Sequence, residues 1–291
     1  MTFKDTYIQS ADKKIHAIQT GSGESQLHFL HANGFSAGVY LPFLEHFKEN
    51  FNVVATDIPG HGDSDHHGVD VIKHWDIFIE DIRESIIQNM SPPVIGIGHS
   101  LGAVVTYIAA AKYPELFSKI VLVDPVIFPK RKLLVVGLLR KLGLIDKVVP
   151  LVTGARRRKR FFESREDAYE RFSSGRGLFK TWPDEFIRAY SQYGLKDEDD
   201  GGVSLKCNPE TEAQIYESLL LDIWQYPKKI KCPVLLIRGG NSDTFDTYAA
   251  KRLVKELNDC SYVNVEDAGH FVPIEKAEEC SVIIKEFINR N

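Results

Sequence analysis

The segment Pro93-Val94-Ile95-Gly96-Ile97-Gly98-His99-Ser100-Leu101-Gly102 carries the clearest topological signal in the chain. Its first five residues carry no polar side chain, the pattern of a strand covered on both faces. Ala103–Lys112 then reads as a helix. A serine therefore stands on a sharp strand-to-helix turn, where its hydroxyl is presented at the end of a strand. Glycines at 98 and 102 leave room where such a turn crowds its own backbone.

Working outward, the same rhythm of short apolar run and amphipathic segment recurs. Leu27–Leu30 is followed by Tyr40–Lys48, and Asn52–Thr56 by Trp75–Gln88. Lys119–Val123 comes next, then Val234–Ile237 with Thr247–Leu257, and Tyr262–Val265 with Ile274–Ile288. Thr6–Ser10 and Lys14–Thr20, joined through Ala11-Asp12-Lys13, predict an antiparallel hairpin at the start. Alternation of this kind predicts crossover connections and an α/β fold with a mostly parallel sheet of eight strands flanked by helices.

Between Asp124 and Pro227 strand-like runs give way to helix-like segments: Lys132–Leu142, Arg165–Phe172, Asp184–Tyr193 and Glu210–Leu221. The expectation is a helical cap inserted after the sixth strand, dividing the chain into core 1–125, cap 126–227 and core 228–291. The cap is electrically split. Residues 127–180 hold 15 Lys and Arg against 5 Asp and Glu, whereas 181–226 hold 3 against 10. Arg156-Arg157-Arg158-Lys159-Arg160 is read as a solvated face before an anion or membrane contact. Leu133–Val136 and Leu138-Leu139 are read as cap packing before a lipid anchor. Phe161, Phe162, Phe172, Phe179, Trp182 and Tyr190 are candidates to line a cleft, although packing between cap helices is the simpler account.

The chain has 291 residues, 43% of them hydrophobic, and a formal net charge of −4. That balance suits a globular protein with a large core and gives no overall electrostatic footprint for nucleic acid. Four scattered cysteines, with no CxxC pair, are read as reduced thiols. The first residues lack an apolar signal core and no stretch is long enough to span a bilayer, so a cytoplasmic location is expected.

A serine hydroxyl is a weak nucleophile at neutral pH and needs a base, which in turn needs an orienting group. His270 lies on the loop between the last predicted strand and the C-terminal helix, from which it can reach Ser100. For the acid, Asp243 follows the strand ending at Ile237 and gives the chain order Ser, Asp, His. Asp124, closing the strand Ile120–Val123, is the rival.

These pieces together resemble the α/β-hydrolase family, in its serine-nucleophile, esterase- and lipase-like branch with a helical cap. His31-Ala32-Asn33-Gly34-Phe35 resembles the family's His-Gly-X oxyanion segment, with Ala32 in place of the usual glycine. Asp57-Ile58-Pro59-Gly60-His61-Gly62-Asp63-Ser64 resembles its Asp-X-X-Gly-His-Gly-X-Ser loop. The resemblance implies that the backbone N–H groups of Asn33 and Leu101 face the developing oxyanion. His31 and His99 are read as loop braces. His61, His66, His67 and His74 lack a fixed ligand spacing, and no metal or cofactor is expected.

The expected activity is a cofactor-independent serine hydrolase, carboxylesterase-like, acting on a small-molecule acyl substrate. Thioesterase, carbon–carbon bond hydrolase and perhydrolase activities are also compatible with a serine elbow. A ligand-binding receptor on the same scaffold is the non-enzymatic alternative. Serine at 100 sets the chain apart from relatives with a carboxylate nucleophile.

Overall fold

The computed structural model describes residues 3–199 and 201–290; Met1, Thr2, Asp200 and Asn291 lie outside it. Six strands precede the insertion: β1 (Lys4–Ser10), β2 (Lys13–Thr20), β3 (Ser25–Leu30), β4 (Phe51–Thr56), β5 (Val94–His99) and β6 (Phe117–Val123). Three short strands, β7 (Phe161–Phe162), β8 (Leu195–Asp197) and β9 (Val203–Leu205), form a small sheet of their own within it. After the insertion come β10 (Val234–Gly239) and β11 (Cys260–Val265). The main sheet is eight-stranded in the order β1-β2-β4-β3-β5-β6-β10-β11. Among the described residues of this sheet only the pairs β1–β2 and β2–β4 are antiparallel.

Alternation along the central strands divides the core into two layers. Val94, Ile120, Leu122, Val234 and Leu236 face a layer built with the helices Ile79–Asn89, Leu101–Lys112 and Thr247–Glu256. Ile95, Ile97, Val121, Val123, Leu235 and Ile237 face the other, built with Leu41–Leu44 and Ala277–Ile288. Every residue of β5 and β10 is buried, which explains why these strands carry no polar face. The helix after Ser100 comes so close to the sheet that a Cβ at Gly96 would stand 2.8 Å from the Phe117 ring and 3.0 Å from Thr106.

Strand order reverses between β3 and β5, since the chain moves from β3 outward to β4 and returns on the other side with β5. The crevice outside the carboxyl ends of strands at such a reversal is where open α/β sheets bind ligands. His31 and Ser100 leave β3 and β5 there.

The insertion covers this end. Its helix Asp184–Tyr193 lies on the turn Ala37–Tyr40, so tightly that a Cβ at Gly38 would be 2.5 Å from the Tyr193 ring. The split in charge proves to be internal pairing. Arg156 bonds Glu210 and Glu217, Arg158 bonds Glu212, and Lys159 bonds Asp167. Most of the basic run 156–160 is thus joined to acids of the insertion rather than left as a bare solvated face. No helix among the described residues is long and apolar enough to cross a membrane.

Candidate active site

Ser100 has φ 56° and ψ −114°, a left-handed backbone that only surrounding structure can impose on a serine. Its N–H donates to the Val123 carbonyl at 3.0 Å, and the Gly102 N–H donates to the His31 carbonyl at 3.1 Å. A Cβ at Gly98 would lie 2.3 Å from the Gly102 carbonyl oxygen, and one at Gly102 2.3 Å from that of Leu30. Both glycines are required by close backbone approach. The elbow is therefore fastened to β3, β5 and β6 through main-chain groups.

His270 approaches from the loop after β11. Its Nε2 lies 2.9 Å from Ser100 Oγ, and its Nδ1 lies 2.7 Å from Asp124 Oδ1. The carboxylate on this imidazole is therefore Asp124 and not Asp243. Asp243 is exposed, and its carboxylate accepts a bond from the neighbouring Thr244 hydroxyl at 3.3 Å. Topology supplies the reason: β6 is hydrogen-bonded directly to β5, so its end lies one strand spacing, about 4.8 Å, from the elbow. The loop after β10 contributes donors instead. Gly239 N–H gives to Asp124 Oδ2 at 2.9 Å and Ser242 Oγ–H to Oδ1 at 2.6 Å. Asp124 is fully buried, and its carboxylate oxygens meet three hydrogen-bonding partners, Gly239 N–H, Ser242 Oγ–H and His270 Nδ1.

The loop after β3 closes the other side of Ser100. Among the described residues the N–H groups of Asn33 and Leu101 have no protein acceptor. The Asn33 side chain points elsewhere: its Nδ2 donates to the Glu212 carbonyl at 3.0 Å, and its Oδ1 accepts from His61 Nε2 at 3.1 Å. Asn33 thus ties the insertion to the loop. Ala32 keeps an ordinary negative φ, so alanine there costs no backbone strain; the left-handed position belongs to Gly34, at φ +82°.

Three buried histidines brace these loops as neutral rings. His31 donates from Nδ1 to the Ala32 carbonyl and accepts the Ile58 N–H at Nε2. His99 accepts from the Tyr40 hydroxyl at Nδ1, 2.6 Å, and donates from Nε2 to the His270 carbonyl, 2.9 Å. Burial, with the neighbouring His270, drives His99 well below the usual imidazole range. Burial likewise lowers His61 to about 3. Sequence reasoning had no signal for the Tyr40–His99–His270 series, because its partners come from three unconnected segments.

Asp57 clamps the loop 57–64. It accepts N–H bonds from Ala37 at 2.6 Å and Asp63 at 2.9 Å, and it pairs with His16 at 2.7 Å. His16, Asp57 and Asp63 bring possible ligand atoms within 4.8 Å of one another. The Asp57 oxygens are already taken by amides and imidazole, and Asp63 pairs with Lys206, which leaves a structural clamp. His66 and His67 lie against each other, and His74 pairs with Asp76 and Asp222.

Aromatic side chains roof the site. Trp182 lies 5.5 Å from Phe35 and 5.4 Å from Phe271, which in turn touches His270. Behind it Phe172, Phe179 and Tyr190 pack on one another, with Phe162 against Phe172. Phe161 instead faces solvent. Arg158, between Glu212 at 2.5 Å and the Tyr190 hydroxyl, stands over Gly34. Burial opposes its charge, but Tyr190 and Glu212 together hold the guanidinium above its ordinary range. Under this cover Ser100 keeps 6% of its surface.

Similar proteins share this architecture. The 2-(acetamidomethylene)succinate hydrolase of Mesorhizobium japonicum is 27% identical over 258 residues, 89% of this chain and 85% of that protein. A crystal structure of E-2-(acetamidomethylene)succinate hydrolase superposes with a TM-score of 0.82 at 23% identity, covering 99% of this chain and 100% of that one. The thioesterase domain from the curacin biosynthetic pathway gives 0.75 at 19% identity, over 98% and 100%. Residues 29–281, which run from the loop-bearing strand β3 past His270, match the model of the alpha/beta hydrolase family, and the chain belongs to that family.

Proposed function

We propose that this chain is a serine hydrolase that cleaves a carboxylic ester or related acyl bond through an acyl-enzyme. The reading rests on one observation: a single imidazole bridges Ser100 Oγ at 2.9 Å and Asp124 Oδ1 at 2.7 Å. His270 takes the serine proton as Oγ attacks the acyl carbon, then returns it to the leaving group as the tetrahedral adduct collapses. It next removes a proton from water, whose attack releases the acid and restores Ser100. Asp124 orients the imidazole and stabilises its protonated form. Asn33 and Leu101 N–H groups receive the oxyanion, where losing one such donor typically costs about 2.7–4 kcal/mol of barrier. Residues 126–227 act as a cap that selects substrate, over a body formed by 1–125 and 228–291.

An amide bond is the second reading, favoured by the relative from Mesorhizobium japonicum, whose name describes hydrolysis of an acetamido compound. That compound is also a dicarboxylic acid. Arg158 is already neutralised by Glu212 in this chain, which favours uncharged acyl groups.

A fluorophosphonate probe tests the mechanism. Stoichiometric labelling at Ser100 is expected, lost in Ser100→Ala and weakened in His270→Ala. Folded protein that stays unlabelled at high probe concentration would instead assign the fold to ligand binding. Aryl esters of increasing acyl length, compared with thioesters and acetamido acids, then identify the bond cleaved.

A further inference from the structure

The helix Lys130–Lys141 of the insertion is apolar on two sides, and only one of them is covered. Leu133 and Val136 are buried in the layer that also holds Ile145, Ile215, Leu219 and Leu220 of the insertion. Leu134, Val135, Leu138 and Leu142 are between 57% and 75% exposed. Their spacing of one, four and eight residues places them on a single outward stripe. Leu221 continues it, lying beside Gly137 and itself exposed. The expectation that Leu133–Val136 and Leu138-Leu139 pack within the cap holds for the buried Leu133 and Val136 and the half-buried Leu139 but fails for Leu134, Val135 and Leu138.

Cations flank the stripe at the same helical spacing. Arg131 precedes Leu134 and Val135 by three and four residues, and Lys141 follows Leu138 by three. Across 126–162 there are 11 Lys and Arg and one acid, Asp146. Several of these cations are committed inward: Arg156, Arg158 and Lys159 to acids, and Arg140 to the Leu219 carbonyl. Lys132 lies over the Phe128 ring and feels Asp246 and Asp243. Among the described residues Lys130, Arg131, Lys141 and Lys147 make no ion pair. Leucines bordered by long flexible cations are the arrangement that lies in a lipid headgroup layer, stems buried and charges among phosphates.

We propose that this face docks the protein on the surface of an anionic bilayer, with Leu134, Val135, Leu138 and Leu142 entering the acyl boundary and Lys130, Arg131, Lys141 and Lys147 among the headgroups. Charge decides the occupant. A second copy of the chain meeting this face symmetrically would set cation against cation, whereas an anionic surface satisfies both the leucines and their border. The helix belongs to the insertion that covers Ser100, so docking brings that cover to the membrane.

Co-sedimentation of the full chain with vesicles tests this without reference to catalysis. Binding to phosphatidylcholine containing about a third phosphatidylglycerol is expected to exceed binding to phosphatidylcholine alone by about thirtyfold, the effect of two surface cations. Leu134→Ser with Leu138→Ser should lower binding to the anionic vesicles at least about tenfold, with an unchanged thermal midpoint. Arg131→Glu with Lys141→Glu should abolish the preference for anionic lipid. Equal binding by wild type and the serine pair would overturn the proposal. So would a wild-type dimer in sedimentation velocity that the serine pair dissolves, because the face would then belong to a second copy.

Discussion

The elbow around Ser100 and the insertion above it are both closely built, but by different means. At the elbow the fasteners are main-chain groups: Ser100 N–H on Val123, Gly102 N–H on His31, and glycines whose replacement would drive a Cβ into a carbonyl. In the insertion they are side chains of opposite sign, Arg156 with Glu210 and Glu217, and Arg158 with Glu212. A main-chain fastener admits one residue type at a critical place. A charge pair admits many sequences, provided the balance is kept. Conformational precision therefore concentrates at the sheet end, and variation is tolerated in its cover.

The largest effect should come from the sheet end. On the proposed mechanism Ser100→Ala removes the nucleophile and Asp124→Asn the orienting charge, each lowering kcat by about 10⁴-fold or more in ester hydrolysis assays. Asp243→Asn should stay within about twofold, since among the described residues its carboxylate bonds only Thr244. Comparable losses at 124 and 243 would break the assignment. Gly102→Ala comes next, expected to cost about 3 kcal/mol in denaturant unfolding because the added methyl meets the backbone of Leu30.

Within the insertion, Arg158→Met should cost about 3 kcal/mol by leaving Glu212 buried and unpaired. The exposed pair Arg188–Asp184 is the internal control, and Arg188→Ala should leave the thermal midpoint unmoved. If both variants behaved alike, buried pairing would not be what holds the insertion down.

A pH titration sharpens the contrast further. Burial lowers His28 and His61 from 6.5 to about 3. The unfolded chain therefore binds more protons than the folded one below 6.5, and stability present above that pH is lost progressively as pH falls toward 3. Urea midpoints at pH 7, 6 and 5 should decline in that order. A flat profile would mean that these rings already take protons within the fold.

The parallel strands were legible because each carries a short, mostly apolar run followed by a periodic helix, and the hairpin because its turn is polar. Chain order could not separate Asp124 from Asp243, as both fall between Ser100 and His270. What distinguishes them is adjacency of β6 to β5, a property of strand order rather than of sequence position. A local cue existed: Asp124 closes the apolar run Ile120–Val123, whereas Asp243 sits in the polar turn Asn241-Ser242-Asp243-Thr244. Leu134 and Leu138 misled for a related reason. Apolar residues are read as interior by default, and only tertiary placement reveals a helix with two greasy sides and one neighbour.

The series from the Tyr40 hydroxyl through His99 to the carbonyl of His270 has a mechanical meaning. It joins the residue just before Ser100 to the main chain of His270, so on the proposed mechanism the two partners of the proton transfer share one anchor. Movement in the short loop after β11 would then be taken up beyond that anchor, leaving the Ser100–His270 separation of 2.9 Å unchanged.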